Sequence, residues 1–196
     1  MVDEQLEEAK AALRVQARAR RASITSTAAA EAASAAMRYF LEGIELTSTQ
    51  IVSLYWPVRD EFDCRPLLIR LVDSGQPVCL PETNGDEPLT MRLWAPDQPL
   101  YPSGFGTLAP IETAPVVEPD VVVAPLLAFD GKGNRLGYGK GHYDRTMARM
   151  RKQPRFIGLA FSAQELPSIP REPHDRRLDS IVTELGIRHF STTDSA

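Results

Sequence analysis

The sequence predicts an α/β domain, and three observations carry that prediction. Strand-like and helix-like runs alternate from about residue 51 onward, the pattern that places helices against a sheet. The run Val121 to Phe129 is apolar throughout rather than alternating, as expected of a strand covered on both faces. It leads directly into a glycine-rich stretch, and in open α/β sheets ligands gather at the carboxyl ends of central strands, where a loop and the next helix's N-terminus supply donors.

Residues 4–22 contain strong helix formers and neither Gly nor Pro, with Leu6, Ala9, Leu13 and Ala17 forming a narrow apolar stripe. That segment is a helix, and the spacing of Lys10, Arg14 and Arg18 by four puts them along one face. Residue type alone reads that face, with Arg20 and Arg21, as a solvated charge surface. A second helix, Ala-rich, runs from about Ser26 to Glu42, opened by a Ser or Thr cap and closed by Gly43. Ile51 to Trp56 reads as a strand, Arg65 to Ser74 as a helix closed by Gly75, and Pro77 to Pro81 and Met91 to Trp94 as strands. After Val121 to Phe129 comes a helix from Gly141 or His142 to about Arg151, then a strand from Arg155 to Phe161. Glu82 to Pro88 and Ala95 to Pro119 hold seven prolines and read as loops. A loop as long as the second is usually functional. The tail, Ser191 to Ala196, is mostly polar and is expected to be disordered.

At 196 residues the chain suits one compact domain, able to bury about 70% of the surface its unfolded form would expose. The composition, 43% apolar and 24% charged, is that of an ordinary globular protein. A net charge of −4 argues against a nucleic-acid partner, which favours a basic face. No apolar run approaches the roughly 20 residues a membrane helix needs, and the N-terminus is acidic where a signal peptide is basic and then apolar. The expected location is cytoplasmic. Cys64 and Cys79 lack metal-type spacing and are expected to be small buried thiols.

Residues 130–145 hold five of the chain's 12 glycines, with two lysines, two arginines and two aspartates. Glycines beside basic side chains let main-chain N–H groups and cationic heads converge on anionic oxygens. Carboxylates suit a hard cation such as magnesium, which usually arrives with substrate phosphates. The stretch matches neither common phosphate loop. A Walker A motif needs Gly where Asn134 stands and Ser or Thr where Gly141 stands; the dinucleotide fingerprint needs Gly or Ala at His142. A mobile hairpin would explain the glycines but not Tyr138, His142 and Tyr143 beside paired charges.

The order of residues from Ala128-Phe129-Asp130 through Gly133, Arg135-Leu136-Gly137-Tyr138-Gly139-Lys140-Gly141-His142-Tyr143-Asp144-Arg145 strongly resembles the signature of the 5-formyltetrahydrofolate cyclo-ligase (methenyltetrahydrofolate synthetase) family. Six further blocks occur in the family's order: Lys10 and Arg14; Tyr55, Pro57 and Glu61; Gly104-Phe105-Gly106; Gly158 to Phe161 with Gln164; Pro170 with His174-Asp175; and Ile181 to Glu184. The resemblance covers nearly the whole chain. His142 departs from it, since many members carry Tyr there. Both are flat rings, so a stacking role survives and a phenol-specific role does not.

The resemblance implies a single domain over 1–196 with the three-layer αβα architecture of sugar-phosphate isomerases and CoA-transferases, a mostly parallel or mixed central sheet and an N-terminal helical pair. It implies an ATP- and Mg2+-dependent conversion of 5-formyltetrahydrofolate to 5,10-methenyltetrahydrofolate by a monomer or weak dimer. By similarity Lys10, Arg14, Arg135 and Lys140 hold the polyphosphate and Gly137, Gly139 and Gly141 line it. Leu136, Tyr138, His142 and Tyr143 complete the ATP loop. Asp144 and Asp175 take the metal; Arg135, Lys140 and Asp144 are the catalytic set. Trp56, Glu61 and Phe105 match folate contacts, and Tyr138 and Tyr143 pack on either ligand. His142, His174 and His189 share no zinc-type spacing. Two alternatives stand beside this reading: an isomerase or CoA-transferase-like enzyme, and a non-catalytic nucleotide-binding relative.

Overall fold

The structure is a computed structural model that describes residues 2–191. The chain begins with helices α1 (Val2–Ala22) and α2 (Ser26–Gly43). Thr25 separates them because its hydroxyl accepts the Ala28 N–H at 3.2 Å, capping α2. Next come β1 (Val52–Ser53), α3 (Arg65–Asp73), β2 (Val78–Glu82) and β3 (Thr90–Trp94). The proline-rich segment holds a small hairpin, β4 (Tyr101–Pro102) and β5 (Leu108–Ala109), around a 3-10 turn at Gly104–Gly106. There follow β6 (Val121–Ala124), β7 (Ala128–Asp130), β8 (Arg135–Leu136) and α4 (His142–Arg149). The chain continues through β9 (Arg155–Leu159), β10 (Glu165–Leu166), β11 (Ser180–Thr183) and β12 (Gly186–His189). Residues 192–196 of the tail expected to be disordered lie outside the described residues.

Seven strands form a mixed sheet in the order β12-β11-β9-β6-β1-β2-β3. Its five inner strands are parallel, and β3 and β12 close the two edges antiparallel. The pleat divides the core between two faces. Val121 and Val123 point into the cluster of α2 and α3, with Phe40, Leu67 and Leu71. Val122 and Ala124 point the other way, toward Met147 of α4 and Phe156. This is why β6 reads as uninterrupted apolar sequence: both of its faces are buried.

The run Val121 to Phe129 is not one strand. Pro125 has no N–H to give the ladder, and the chain leaves the large sheet there. Its second half, β7, pairs instead with β10 and β8 in a three-stranded sheet. Leu13 and Ala17 of α1 pack on that sheet against Leu127, Leu136 and Ile169, which sets α1 above the glycine stretch. The strand expected over Ile51 to Trp56 is paired only at Val52 and Ser53, because Tyr55 and Trp56 leave the sheet to line a cavity and Pro57 has no ladder donor.

Candidate active site

The carboxyl ends of β1, β2 and β6 open into a cavity of about 1100 Å³. Its walls are α1, the segment from Tyr55 to Glu61, the hairpin around Phe105, the glycine stretch, and the loop carrying Glu172 and Asp175. All of the residues singled out from the sequence line it: Lys10, Arg14, Trp56, Glu61 and Phe105, the run from Arg135 through Leu136 and His142 to Asp144, and Asp175. Their chemistry divides by wall.

Lys10 of α1 is buried at 5% exposure. Its ammonium donates to Glu172 at 2.5 Å and Asp175 at 2.8 Å. Burial alone would lower its pKa, but the bonds to Asp175 and Glu172 outweigh burial and raise it. For Asp175 burial pulls upward, and the Glu172 N–H together with Lys10 holds the carboxyl below its usual range. One turn further along α1, Arg14 Nε donates to the Gly137 carbonyl at 3.3 Å. Gly139 adopts a left-handed φ of +99°, and a Cβ there would lie 3.3 Å from Arg14 Cζ. Glycine therefore lets the loop pass under the guanidinium.

Arg135 projects from β8 to Asp144 in the first turn of α4, 2.7 Å away, and its guanidinium lies 4.8 Å from the centre of the Phe156 ring. Asp144 also accepts the Arg176 N–H at 3.1 Å. A helix-start aspartate is often only a cap; here the carboxylate faces a strand cation across the loop. Asp175 pairs with Lys10, 165 residues away in the chain, at 2.8 Å.

The mouth is looser. Lys140 is half exposed, bonded to Asp86 at 2.9 Å and 5.7 Å from the Phe105 ring. Phe105 itself is 56% exposed, with φ +60° between two glycines, and its ring lies 5.4 Å from that of His142. His142 Nε2 contacts the Gly85 carbonyl at 2.9 Å.

Trp56, also in the cavity lining, packs against the main core, with Arg65 5.9 Å from its ring centre. Glu61 is turned inward, its carboxylate accepting the Val58 N–H at 2.9 Å. Burial raises its pKa against the lowering effect of Tyr138 and Val58. Burial, then the neighbouring Glu61 charge, pushes the Tyr138 phenol well above its usual value. Tyr143 is likewise raised by burial, its ring 6.4 Å from that of Phe156.

The donor set suits a hard divalent cation. Asp144, Asp175 and Glu172 present carboxylate oxygens to the same cavity. Among the described residues Glu172, His174 and Asp175 can offer ligand atoms within 4.8 Å of one another, while Asp144 is engaged separately with Arg135.

One expectation fails. Arg21 is not part of a solvated face: it is 5% exposed and lines the cavity with Asp60 and Tyr138. Arg18 and Arg20 remain exposed. Glu172 and Asp60 also escaped the sequence reading; Glu172 sits inside the Pro170 to Asp175 block, and nothing in the order of residues marked Asp60.

The 5-formyltetrahydrofolate cyclo-ligase family model matches residues 6–184. The chain is similar to the 5-formyltetrahydrofolate cyclo-ligases of Haemophilus influenzae (30% identity over 87% of this chain and 95% of the relative) and Mycolicibacterium smegmatis (33%, over 76% and 80%). The NMR structure of the 5,10-methenyltetrahydrofolate synthetase of Aquifex aeolicus superposes with a TM-score of 0.81 at 28% identity, covering 95% of both chains. A solved structure of the 5,10-methenyltetrahydrofolate synthetase of Mycoplasma pneumoniae superposes with a TM-score of 0.73 at 21% identity, over 89% of this chain and 98% of the other, a likeness of fold. With a match that spans the fold from α1 to β11, the chain belongs to the 5-formyltetrahydrofolate cyclo-ligase family.

Proposed function

We propose that this protein closes 5-formyltetrahydrofolate to 5,10-methenyltetrahydrofolate at the expense of ATP, yielding ADP and phosphate. The observation that carries the proposal is that one cavity is lined both by Lys10, Arg14 and Arg135, which can meet phosphate charge, and by Trp56 and Glu61, together with the glycine loop. The formyl oxygen is a poor leaving group. It attacks the γ-phosphorus, a new O–P bond forms, and the bond to the ADP oxygen breaks. The folate N10 then adds to the formyl carbon and loses its proton, and the phosphorylated oxygen departs as phosphate, leaving the methenyl bridge.

Such a reaction asks the protein mainly for positioning and charge neutralisation. Lys10, Arg14, Arg135 and Lys140 hold the phosphates, with backbone from Leu136 to Gly141 against them and the rings of His142 and Tyr143 beside the nucleotide. Arg135, Lys140 and Asp144 serve the transfer itself. Glu61 accepts from the pterin N–H donors, Trp56 and Phe105 flank the ring, and Tyr138 and Tyr143 pack on either ligand. Asp144 and Asp175 would hold magnesium, which when bound supplies further neutralisation of phosphate charge. These carboxylates also neutralise Arg135 and Lys10, so the buried charges are paired.

The parallel core of the mixed sheet, with helices packed on both faces, supports the three-layer αβα, sugar-phosphate isomerase-like assignment. We read residues 1–196 as one domain that opens with the consecutive helices α1 and α2. No helix among the described residues is long and apolar enough to cross a membrane. We read the protein as a cytoplasmic monomer or weak dimer. The test is to mix the protein with 5-formyltetrahydrofolate and magnesium, with and without ATP, and follow methenylfolate absorbance. Absorbance that rises only with ATP is expected; a rise without ATP, or none with it, sinks the proposal.

A further inference from the structure

The last turn of α1 carries Arg20 and Arg21, and only Arg21 turns inward. Its guanidinium is engaged on every nitrogen. Nε and Nη2 donate to the two oxygens of Asp60 at 3.0 and 2.8 Å, and Nη1 donates to the Tyr138 hydroxyl at 2.6 Å. One side chain therefore ties α1 both to the turn before Glu61 and to the centre of the glycine loop. Taking a guanidinium out of water is costly unless its donors all find acceptors, and an apolar residue would hold two segments together as well. What the arginine adds is direction: a planar fork fixes both partners in angle as well as distance.

The turn transmits that direction to Glu61. Its ends are closed by the Glu61 N–H to the Val58 carbonyl at 3.1 Å and by the Val58 N–H to the Glu61 carboxylate at 2.9 Å. Between them Arg59 holds a left-handed φ of +57°, a conformation a non-glycine residue keeps only when its surroundings impose it. The grip of Arg21 on Asp60, the next residue, is such an imposition. Tyr138 is held from the same guanidinium, and Glu61, Tyr138 and Asp60 all face the cavity.

The geometry points to Arg21 as a positioning residue that sets Glu61, through Asp60, and Tyr138, directly, in one fixed relation between the folate and nucleotide halves of the site. This rests on the cyclo-ligase reading. Lysine at this position keeps the charge and most of the length but has no fork, so it satisfies one partner at a time.

The experiment measures turnover of 5-formyltetrahydrofolate by the wild type, Arg21→Lys, Asp60→Asn and the double variant, with melting temperatures alongside. Arg21→Lys is expected to raise the KM for 5-formyltetrahydrofolate roughly tenfold, the effect of losing alignment rather than charge, with melting close to wild type. Because both single changes break the same fork, the double variant is expected to lose little more than either one. A folate KM within twofold of wild type for Arg21→Lys, or losses that multiply in the double variant, overturns the inference and leaves Arg21 a structural prop. Should Arg21→Lys fail to fold, Asp60→Asn, whose partly exposed side chain tolerates change, carries the test by the same KM criterion. A wild type without ATP-dependent turnover overturns the cyclo-ligase reading itself, and this inference with it.

Discussion

Arg135 on β8 and Asp144 on α4 form an ion pair at 2.7 Å whose side chains are 8% and 12% exposed, so the strand that enters the glycine loop is clasped to the helix that leaves it. The pair fixes the ends of a segment that needs freedom only in its middle. Removing one member strands the other in a dry setting, which costs on the order of 3 kcal/mol. Arg135→Ala is therefore expected to lower both turnover and melting temperature; Asp144→Asn keeps the shape but leaves the guanidinium unpaired, and is expected to lower the melting temperature as well as raise the magnesium requirement. Magnesium titrations and thermal melts check both; an Arg135→Ala protein with full activity counts against the assignment.

Lys140 makes the contrast. Its contact with Asp86 is a surface pair, and such pairs add little to stability. Lys140→Ala is expected to melt within a degree or two of wild type while losing turnover by orders of magnitude, if its ammonium meets the γ-phosphate in the bound state. Loss of stability without loss of rate would move Lys140 out of the site.

Lys10→Met removes the cation between Glu172 and Asp175. Asp175 has a folded pKa below its unfolded value, so it adds stability above the unfolded value near 3.8 that disappears as pH falls through the folded one. Lys10 has a folded pKa above 10.5, so its contribution is complete below that pH and fades as pH rises through the folded value. The variant is expected to be destabilised at neutral pH and to approach wild type as pH falls below 3.8 through the folded value of Asp175. Melting curves across that range decide the matter; a constant difference means that the pair is not what is being measured.

Glu61 behaves oppositely. Burial raises its folded pKa above 4.5, so the folded state binds its proton more tightly than the unfolded chain and stability falls as pH climbs from 4.5 through the folded value. Glu61→Gln removes that slope. The variant is expected to gain melting temperature relative to wild type across the same window and to hold the gain above it, while its folate KM rises more than its ATP KM. The reverse KM order would take Glu61 out of the pterin wall.

Two glycines separate site from scaffold. Gly139→Ala places a methyl 3.3 Å from Arg14 Cζ at φ +99° and is expected to raise the ATP KM, with a loss of melting temperature from the backbone strain that any side chain meets at that φ. Gly133→Ala, at φ +78°, meets the Phe190 ring at 2.8 Å and the Leu178 carbonyl at 3.0 Å. It is expected to cost about 1–3 kcal/mol with substrate affinities preserved in the folded fraction. Denaturant melts and steady-state kinetics distinguish the two.

Local order was enough to read the helices and the glycine stretch. Helix formers without Gly or Pro in α1 predict their own conformation, and Asn134, Gly141 and His142 rule out the common phosphate loops without any structure. The family motifs placed every candidate on one list, and the structure puts them around one cavity. What local order could not show is which charge meets which. Lys10 bonds to Glu172 and Asp175, more than 160 residues away. Arg21 follows Arg14 by seven residues and so shares its face of α1, as Arg20 does not, but only the packing of Leu13 and Ala17 against the small sheet turns that face inward, where Arg21 meets Asp60. Pro125, whose missing N–H is evident from residue type, ends β6; that the chain then pairs in a second sheet depends on β8 and β10 being there to receive it. Backbone preference and motif are properties of neighbouring residues, whereas ion pairing and burial depend on distances that exist only once the chain has folded.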